Sequence, residues 1–229
     1  MEKLKILFED NHIIVVEKKP NIPSQSDKTG DMDMLTLVKQ YIKEKYQKPG
    51  NVYLGLVHRL DRPVGGVMIF AKTSKAASRL SNQVREKVFK KKYLAVVDGR
   101  FKEKEGSLED YLYKDERNNI SKVVNKDMKN AKLAKLDYKE LAYNEVKNLS
   151  LLEINLHTGR HHQIRVQLAN AGHSIFGDQK YGKRGQGKQI ALWAYELTIE
   201  HPTTKEMLTF KDLPEPIGTW CILKDITKV

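Results

Sequence analysis

One stretch constrains the fold more than any other. HRLDRPVGGVMIFA, residues 58–71, runs from a charged loop through Pro63 and the pair Gly65-Gly66 into five consecutive apolar residues. Proline fixes φ and glycine accepts conformations closed to other residues, so the loop is sharply bent. Val67–Ala71 then reads as a short buried strand. Just ahead of it a lone acid, Asp61, sits between Arg59 and Arg62.

The rest of the chain supplies the elements that such a strand needs around it. Ile13–Val16 reads as a strand closed by the Lys19-Pro20 turn, and Asn21–Gly30 as polar loop. From Asp33 to Tyr46 the residues Met34, Leu37, Val38, Tyr41 and Ile42 recur at helical spacing, and Pro49-Gly50 ends the segment. A second helix starts at Thr73 or Ser74, whose hydroxyl can cap it, with Ala77, Leu80 and Val84 on one face and a basic opposite face. Tyr93–Val97 is another strand. Residues 102–132 are charged and irregular, which predicts an exposed hairpin or flexible excursion. Leu136–Leu141 and Leu149–Leu156 alternate like strands about a turn at Asn144–Asn148; Arg160–Ala171 reads as a helix ended by Gly172; Ala191–Ile199 is a last strand region. Mixed helices and hairpin-spaced strands predict an α+β fold, as one domain over residues 1–229.

Composition narrows the partners. Forty-one Lys and Arg against twenty-nine Asp and Glu give a net charge of +12, which favours a polyanion such as nucleic acid, although lysine-rich surfaces also serve solubility. The charge clusters in two places. Arg79, Arg85, Lys87, Lys90, Lys91 and Lys92 form one group, and Lys180, Lys183, Arg184 and Lys188 a second among glycines. The single cysteine, Cys221, cannot form an internal disulfide, and the start of the chain resembles no secretory signal, so a cytoplasmic, monomeric protein is expected. No apolar run is long enough to span a bilayer, so no membrane is expected either.

Taken alone, the candidate residues leave alternatives open. A carboxylate between two arginines favours its ionised form, which suits a nucleophile, but an ordinary surface ion pair worth about 0–1 kcal/mol looks the same in sequence. His157, His161 and His162 lie at spacings that can share a metal, yet no second ligand cluster stands nearby in sequence and none is assigned. Arg165, inside a helix, is either exposed or the partner of a buried acid. The Gly-rich GDQKYGKRGQG, residues 177–187, lacks the phosphate-loop lysine pattern, and no dinucleotide fingerprint follows any strand, so no cofactor is expected.

Four ordered motifs then give a family resemblance. HRLDRPVGGVMIFAKT resembles the signature of the RluA-type RNA pseudouridine synthases, ILFEDNHIIVVEKKPNIPS their opening strand, KKKYLAVVDG their tyrosine strand, and LEINLHTGRHHQIRVQLANAGHSIFGDQKYG their third motif. They span about residues 6–197 in family order. The resemblance implies a pseudouridine synthase fold, with a mixed, largely antiparallel sheet, flanking helices and a central cleft. It also implies conversion of uridine to pseudouridine in structured RNA, ribosomal or transfer, without cofactor or metal. Residue by residue, it implies that Asp61 is the catalytic carboxylate, that Tyr93 stacks on the uracil, and that Arg165 pairs with the acid. Arg59 falls on the substrate-binding arginine implicated in displacing the target base. Val64-Gly65 replaces the usual Thr-Ser, His161 a threonine, Gln167 a histidine and Ser174 a proline. The chain is expected to be the catalytic domain without the small RNA-binding module many relatives carry. The competing reading is an RNA-binding or chaperone protein of the same fold that has lost turnover; an RNA methyltransferase or nuclease lacks a cofactor loop or metal cluster in the sequence.

Overall fold

The computed structural model describes residues 4–183, 187 and 189–228. Arg184 and Lys188 of the second basic group lie outside the described residues. In chain order the elements are β1 (Ile6–Glu9), β2 (Ile13–Lys18), α1 (Met34–Lys45), β3 (Gly55–Leu56), β4 (Gly65–Ala71), α2 (Ser74–Arg85), β5 (Lys90–Asp98), β6 (Glu105–Asp115), β7 (Ile120–Val124), β8 (Lys132–Asn144), β9 (Leu149–Leu156), α3 (Gln163–Asn170), β10 (Leu192–Glu200) and β11 (Met207–Lys211). A 3-10 helix over Gly218–Lys228 follows. The fold is thus α+β, a mostly antiparallel sheet architecture with few helices, as the sequence predicts.

Two compact units divide the chain. The first runs up to Lys90 and takes in Ala194–Leu213; the second holds Lys91–Trp193 and the segment from Pro214.

In the first unit β4 is the axis. All seven of its residues are buried, β2 pairs antiparallel along it from Ile13↔Ala71 to Lys18↔Gly66, and β10 lies beside it, with β11 antiparallel to β10. Ile13, Val15, Val67, Ile69, Leu80, Phe89, Leu197 and Phe210 make the core, and each fully buried aliphatic side chain contributes about 1.5–3 kcal/mol. Both helices start where the sequence places their caps. The Asp33 carboxylate accepts from Thr36 N–H at 3.1 Å and the Thr73 hydroxyl from Ala76 N–H at 3.1 Å. Gly66 is required by its neighbours: at φ +122°, a Cβ there would stand 2.1 Å from the Ala194 carbonyl oxygen.

In the second unit β5, β9, β8, β6 and β7 lie in that order, every pairing antiparallel. The excursion at 102–132 contributes β6 and β7, an ordered hairpin whose inner strand β6 pairs with β8. α3 packs on this sheet through Val166, against Leu112 and Ala134. It begins at Gln163 rather than Arg160 because His162 takes a left-handed backbone, φ +52°, and no helix continues through that conformation. Lys90, Lys91 and Lys92 of the first basic group form the start of β5. Arg79 of the same group donates to the Pro202 carbonyl at 2.6 Å.

Candidate active site

The loop that carries Asp61 is pinned from several sides, all within the first unit. Ser24 accepts from Leu60 N–H at 3.1 Å and returns its hydroxyl proton to the Leu60 carbonyl at 2.8 Å, clamping the residue before the acid. Asn21 N–H donates to the Arg62 carbonyl at 2.8 Å, and Val64 N–H closes a turn onto the Asp61 carbonyl at 3.0 Å. Beneath these lies Lys18, fully buried at the end of β2. Its ammonium donates to the carbonyls of Lys19 (3.2 Å), Arg62 (2.9 Å) and Val64 (2.6 Å), which matches its three N–H groups to three acceptors.

A buried ammonium is costly, and burial pushes the Lys18 pKa down to about 7; the Asp61 charge opposes that shift and the Arg62 charge adds to it. Lys18 is thus a buried cation within reach of the Asp61 charge in the first unit. The sequence suggests the two flanking arginines for that role, and the structure places them otherwise. Arg62 turns its guanidinium to Asp31, Asp27 and Thr29 on the neighbouring loop, and Arg59 is exposed. Asp61 itself is half-buried. His58, first residue of the motif, is structural: its Nε2 accepts from Ile69 N–H at 3.1 Å and its ring rests on Phe89, centroids 5.3 Å apart.

The other sequence candidates belong to the second unit. Tyr93 is buried on β5, opposite Ile154 of β9. Arg165 is buried on α3, 4% exposed, and its partner there is Asp178, 2% exposed. The contact is two-pronged, Nε to Oδ2 at 2.8 Å and Nη2 to Oδ1 at 2.6 Å. Burial raises the Asp178 pKa, but the hydrogen bonds and charge of Arg165 and the backbone N–H groups of Lys180 and Tyr181 together hold it below the usual carboxylate range.

The histidines of the third motif serve the same neighbourhood. Tyr181 Oη accepts from Ser121 N–H at 2.6 Å and shares a hydrogen bond with His162 Nδ1 at 2.8 Å. Burial first, then the charges of Arg165 and neighbouring basic residues, pushes His162 down to about 2. His161 stacks on His162 and bonds Ser121 Oγ at 3.0 Å. Thr158 and Arg160 N–H both donate to the Gln163 side chain, at 2.7 and 3.0 Å, which fixes the entry to α3. Gln167 donates to Asp110 at 2.7 Å and Ser174 to Asp98 at 3.1 Å, so two of the departures from the family pattern have local structural partners. Among the described residues no three His, Cys, Asp or Glu side chains are grouped to hold a metal ion, and no helix is long and apolar enough to cross a membrane.

Sequence reasoning missed Lys18, Ser24 and Asp178. Lys18 had a readable signal: it continues the alternation of Ile14 and Val16 into the interior. Asp178 had one too, as an acid in a Gly-rich turn downstream of a helical arginine in need of an acceptor.

Comparison with known proteins places these features in a family. The family model described as RNA pseudouridylate synthase matches residues 12–170. An uncharacterized RNA pseudouridine synthase of Bacillus subtilis, YhcT, is 34% identical over 90% of this chain and 67% of its own length. The ribosomal large subunit pseudouridine synthase D of Nitrosomonas europaea is 31% identical over 94% of this chain and 63% of its own. The chain thus spans about two thirds of the length of these relatives. Among solved structures, human RNA pseudouridylate synthase domain containing 4 superposes with a TM-score of 0.77, covering 97% of this chain and 93% of that one at 20% identity.

Proposed function

The chain belongs to the RNA pseudouridylate synthase family, whose members isomerise uridine in RNA, and from that premise we propose that Asp61 is its catalytic carboxylate. The observation that carries the reading is the Asp61 loop: a half-buried acid on a segment fastened by Ser24, Asn21 and Lys18, inside the residues the family model matches.

The reaction breaks the bond from the ribose anomeric carbon to the ring nitrogen, turns the uracil, and joins the same sugar carbon to a ring carbon. That ring carbon gives up a proton and the nitrogen gains one, so nothing is oxidised and no atom is lost. An ionised carboxylate serves either by adding to the anomeric carbon or by promoting departure of the base. Tyr93 and Arg165, both buried in the second unit, are proposed for the roles the resemblance implies, a ring for the detached uracil and a cation for the charge of the reaction. Arg59, exposed next to Asp61, occupies the place of the displaced base. The site must exclude water, since a detached uracil would otherwise be lost to hydrolysis.

Structured RNA of the ribosomal or transfer class is the proposed substrate, acted on in the cytoplasm by a monomer. Ribosomal RNA is the first to test, because named relatives act on the large ribosomal subunit. Incubating the protein with unmodified RNA and assaying pseudouridine tests the reading. Wild type should form it, and Asp61→Asn should bind RNA with no product. Equal product from both refutes the role of Asp61; no product from wild type on any RNA class favours a binding protein that has lost turnover.

A further inference from the structure

The hairpin region of the second unit sorts its charge along the chain. Residues 103–116 carry six acids and two lysines, whereas residues 117–135 carry six basic residues and the single acid Asp127, so nineteen residues hold +5 of the net +12. Part of that charge is neutralised across the strands, Lys122 by Asp115 at 3.8 Å and Lys135 by Glu109 at 3.7 Å. Lys126, Lys129 and Lys132 are not. All three are exposed, and among the described residues none of them is in an ion pair. Three like charges within seven residues repel one another, and a polyanion relieves that repulsion.

The turn that carries these lysines is hydrogen-bonded at each step. Met128 N–H donates to the Asn125 carbonyl at 3.1 Å and Ala131 N–H to the Met128 carbonyl at 3.0 Å, two successive turns. The Asn125 side chain accepts from Asp127 N–H at 3.1 Å, and Asn130 takes a left-handed backbone, φ +67°, which asparagine adopts readily. A turn ordered in advance has less conformational freedom to lose when it binds. Between the lysines Met128 is 43% exposed, and beside them Leu133 is 38% exposed. Arg160, also exposed, comes from the third motif to the same end of β8: its Nε donates to the Leu133 carbonyl at 2.9 Å, beyond the last β9 pair at Leu136↔Leu156. Cations around a small apolar centre suit a sugar-phosphate backbone, which offers anions at regular spacing with apolar sugar atoms between them.

We propose that the turn at 125–132, with Arg160 beside it, is a docking surface for the RNA backbone: Lys126, Lys129, Lys132 and Arg160 take phosphates, and Met128 and Leu133 lie against the sugars between them. This rests on RNA as the substrate, and on neither the role of Asp61 nor that of Arg165.

Filter binding to ribosomal and transfer RNA transcripts made in vitro, at about 50 to 200 mM salt, tests it. The triple variant Lys126→Gln, Lys129→Gln, Lys132→Gln should bind roughly 10- to 100-fold more weakly. Its slope of log affinity against log salt should be shallower by about 2–3, since each lost phosphate contact removes about 0.7–0.9. The control variant Lys102→Gln, Lys104→Gln, Lys147→Gln removes the same charge from exposed positions elsewhere in the unit, and should cost less than about threefold. Equal losses in the two variants overturn the proposal, because net charge alone then accounts for binding. A triple variant that binds within about threefold of wild type with an unchanged slope overturns it as well. If the triple variant does not fold by circular dichroism, Lys129→Glu reverses one charge in the middle of the turn and should weaken binding by at least about threefold; unchanged binding overturns the proposal. Wild type that binds none of the transcripts overturns the RNA reading and this proposal with it. Wild type that binds them but forms no pseudouridine overturns the proposed chemistry alone, and the docking surface stands or falls on the affinities.

Discussion

Replacing Lys18 with methionine separates holding the fold from holding the loop. Methionine keeps a long flexible side chain and removes the three N–H donors that reach the carbonyls of Lys19, Arg62 and Val64. The Arg62 carbonyl keeps its bond from Asn21 N–H, so the main loss falls on Val64, which holds the shortest of the three contacts at 2.6 Å. An abandoned buried acceptor costs about 1–3 kcal/mol. Against that, removing a buried ammonium recovers a desolvation penalty of several kcal/mol, part of which its carbonyl partners and Asp61 already offset. The two effects largely cancel, so the net change in folding free energy should be within about 2 kcal/mol, or roughly 4–8 °C in Tm for a chain of this size. Catalysis has no such compensation. The turn behind Asp61 loses its inward tether, and a displacement of about 1 Å at a reacting group costs on the order of 100-fold in rate. The assay is single-turnover pseudouridine formation at about pH 6, where the wild-type ammonium is charged, alongside thermal denaturation. A rate within threefold of wild type in a folded Lys18→Met protein would show that Lys18 does not place the loop.

Other perturbations reach the same framework. Ser24→Ala strips both partners from the Leu60 backbone and should destabilise the protein by about 1–3 kcal/mol in urea denaturation, with no change if the clamp is incidental. Gly66→Ala should yield no soluble folded protein by circular dichroism, because its Cβ has nowhere to go beside Ala194; a native spectrum would contradict the close approach. His162 has a folded pKa depressed to about 2, so its contribution to stability is fully present above 6.5 and falls as acid protonates the unfolded chain but not the native one. Between about pH 6.5 and 5.5 it should lower the unfolding free energy by about 1 kcal/mol, and His162→Gln should flatten that slope in urea titrations at the two pH values.

Local signals made much of the framework legible. α1 and α2 could be read because apolar spacing and a capping Asp33 or Thr73 agree, and β4 because its apolar run is unbroken and entered through glycine. α3 was legible as a helix but not at its start, since nothing in the letters at 160–162 says that His162 will adopt a left-handed backbone; that comes from the tertiary pull of Tyr181 and Ser121. β1, β3 and β11 are short edge pieces whose pairing partners, not their own residues, make them strands. In the candidate site the charged residues could be named, but their partners could not. Arg62 finds Asp31 across a loop, Arg165 finds Asp178 thirteen residues on, and Lys18 reaches the Val64 carbonyl from forty-six residues away.

The tether at Lys18 grips main-chain oxygens, which every amino acid possesses. The side chain at position 62 can therefore vary without loosening it, whereas Val64, 2% exposed, is held to an apolar residue by its own burial. Natural drift or laboratory diversification should be tolerated along the outer rim of this loop, whereas the lysine beneath and the glycine at its exit form a narrow bottleneck. That asymmetry makes the rim the place where substitutions leave the support of the acid undisturbed.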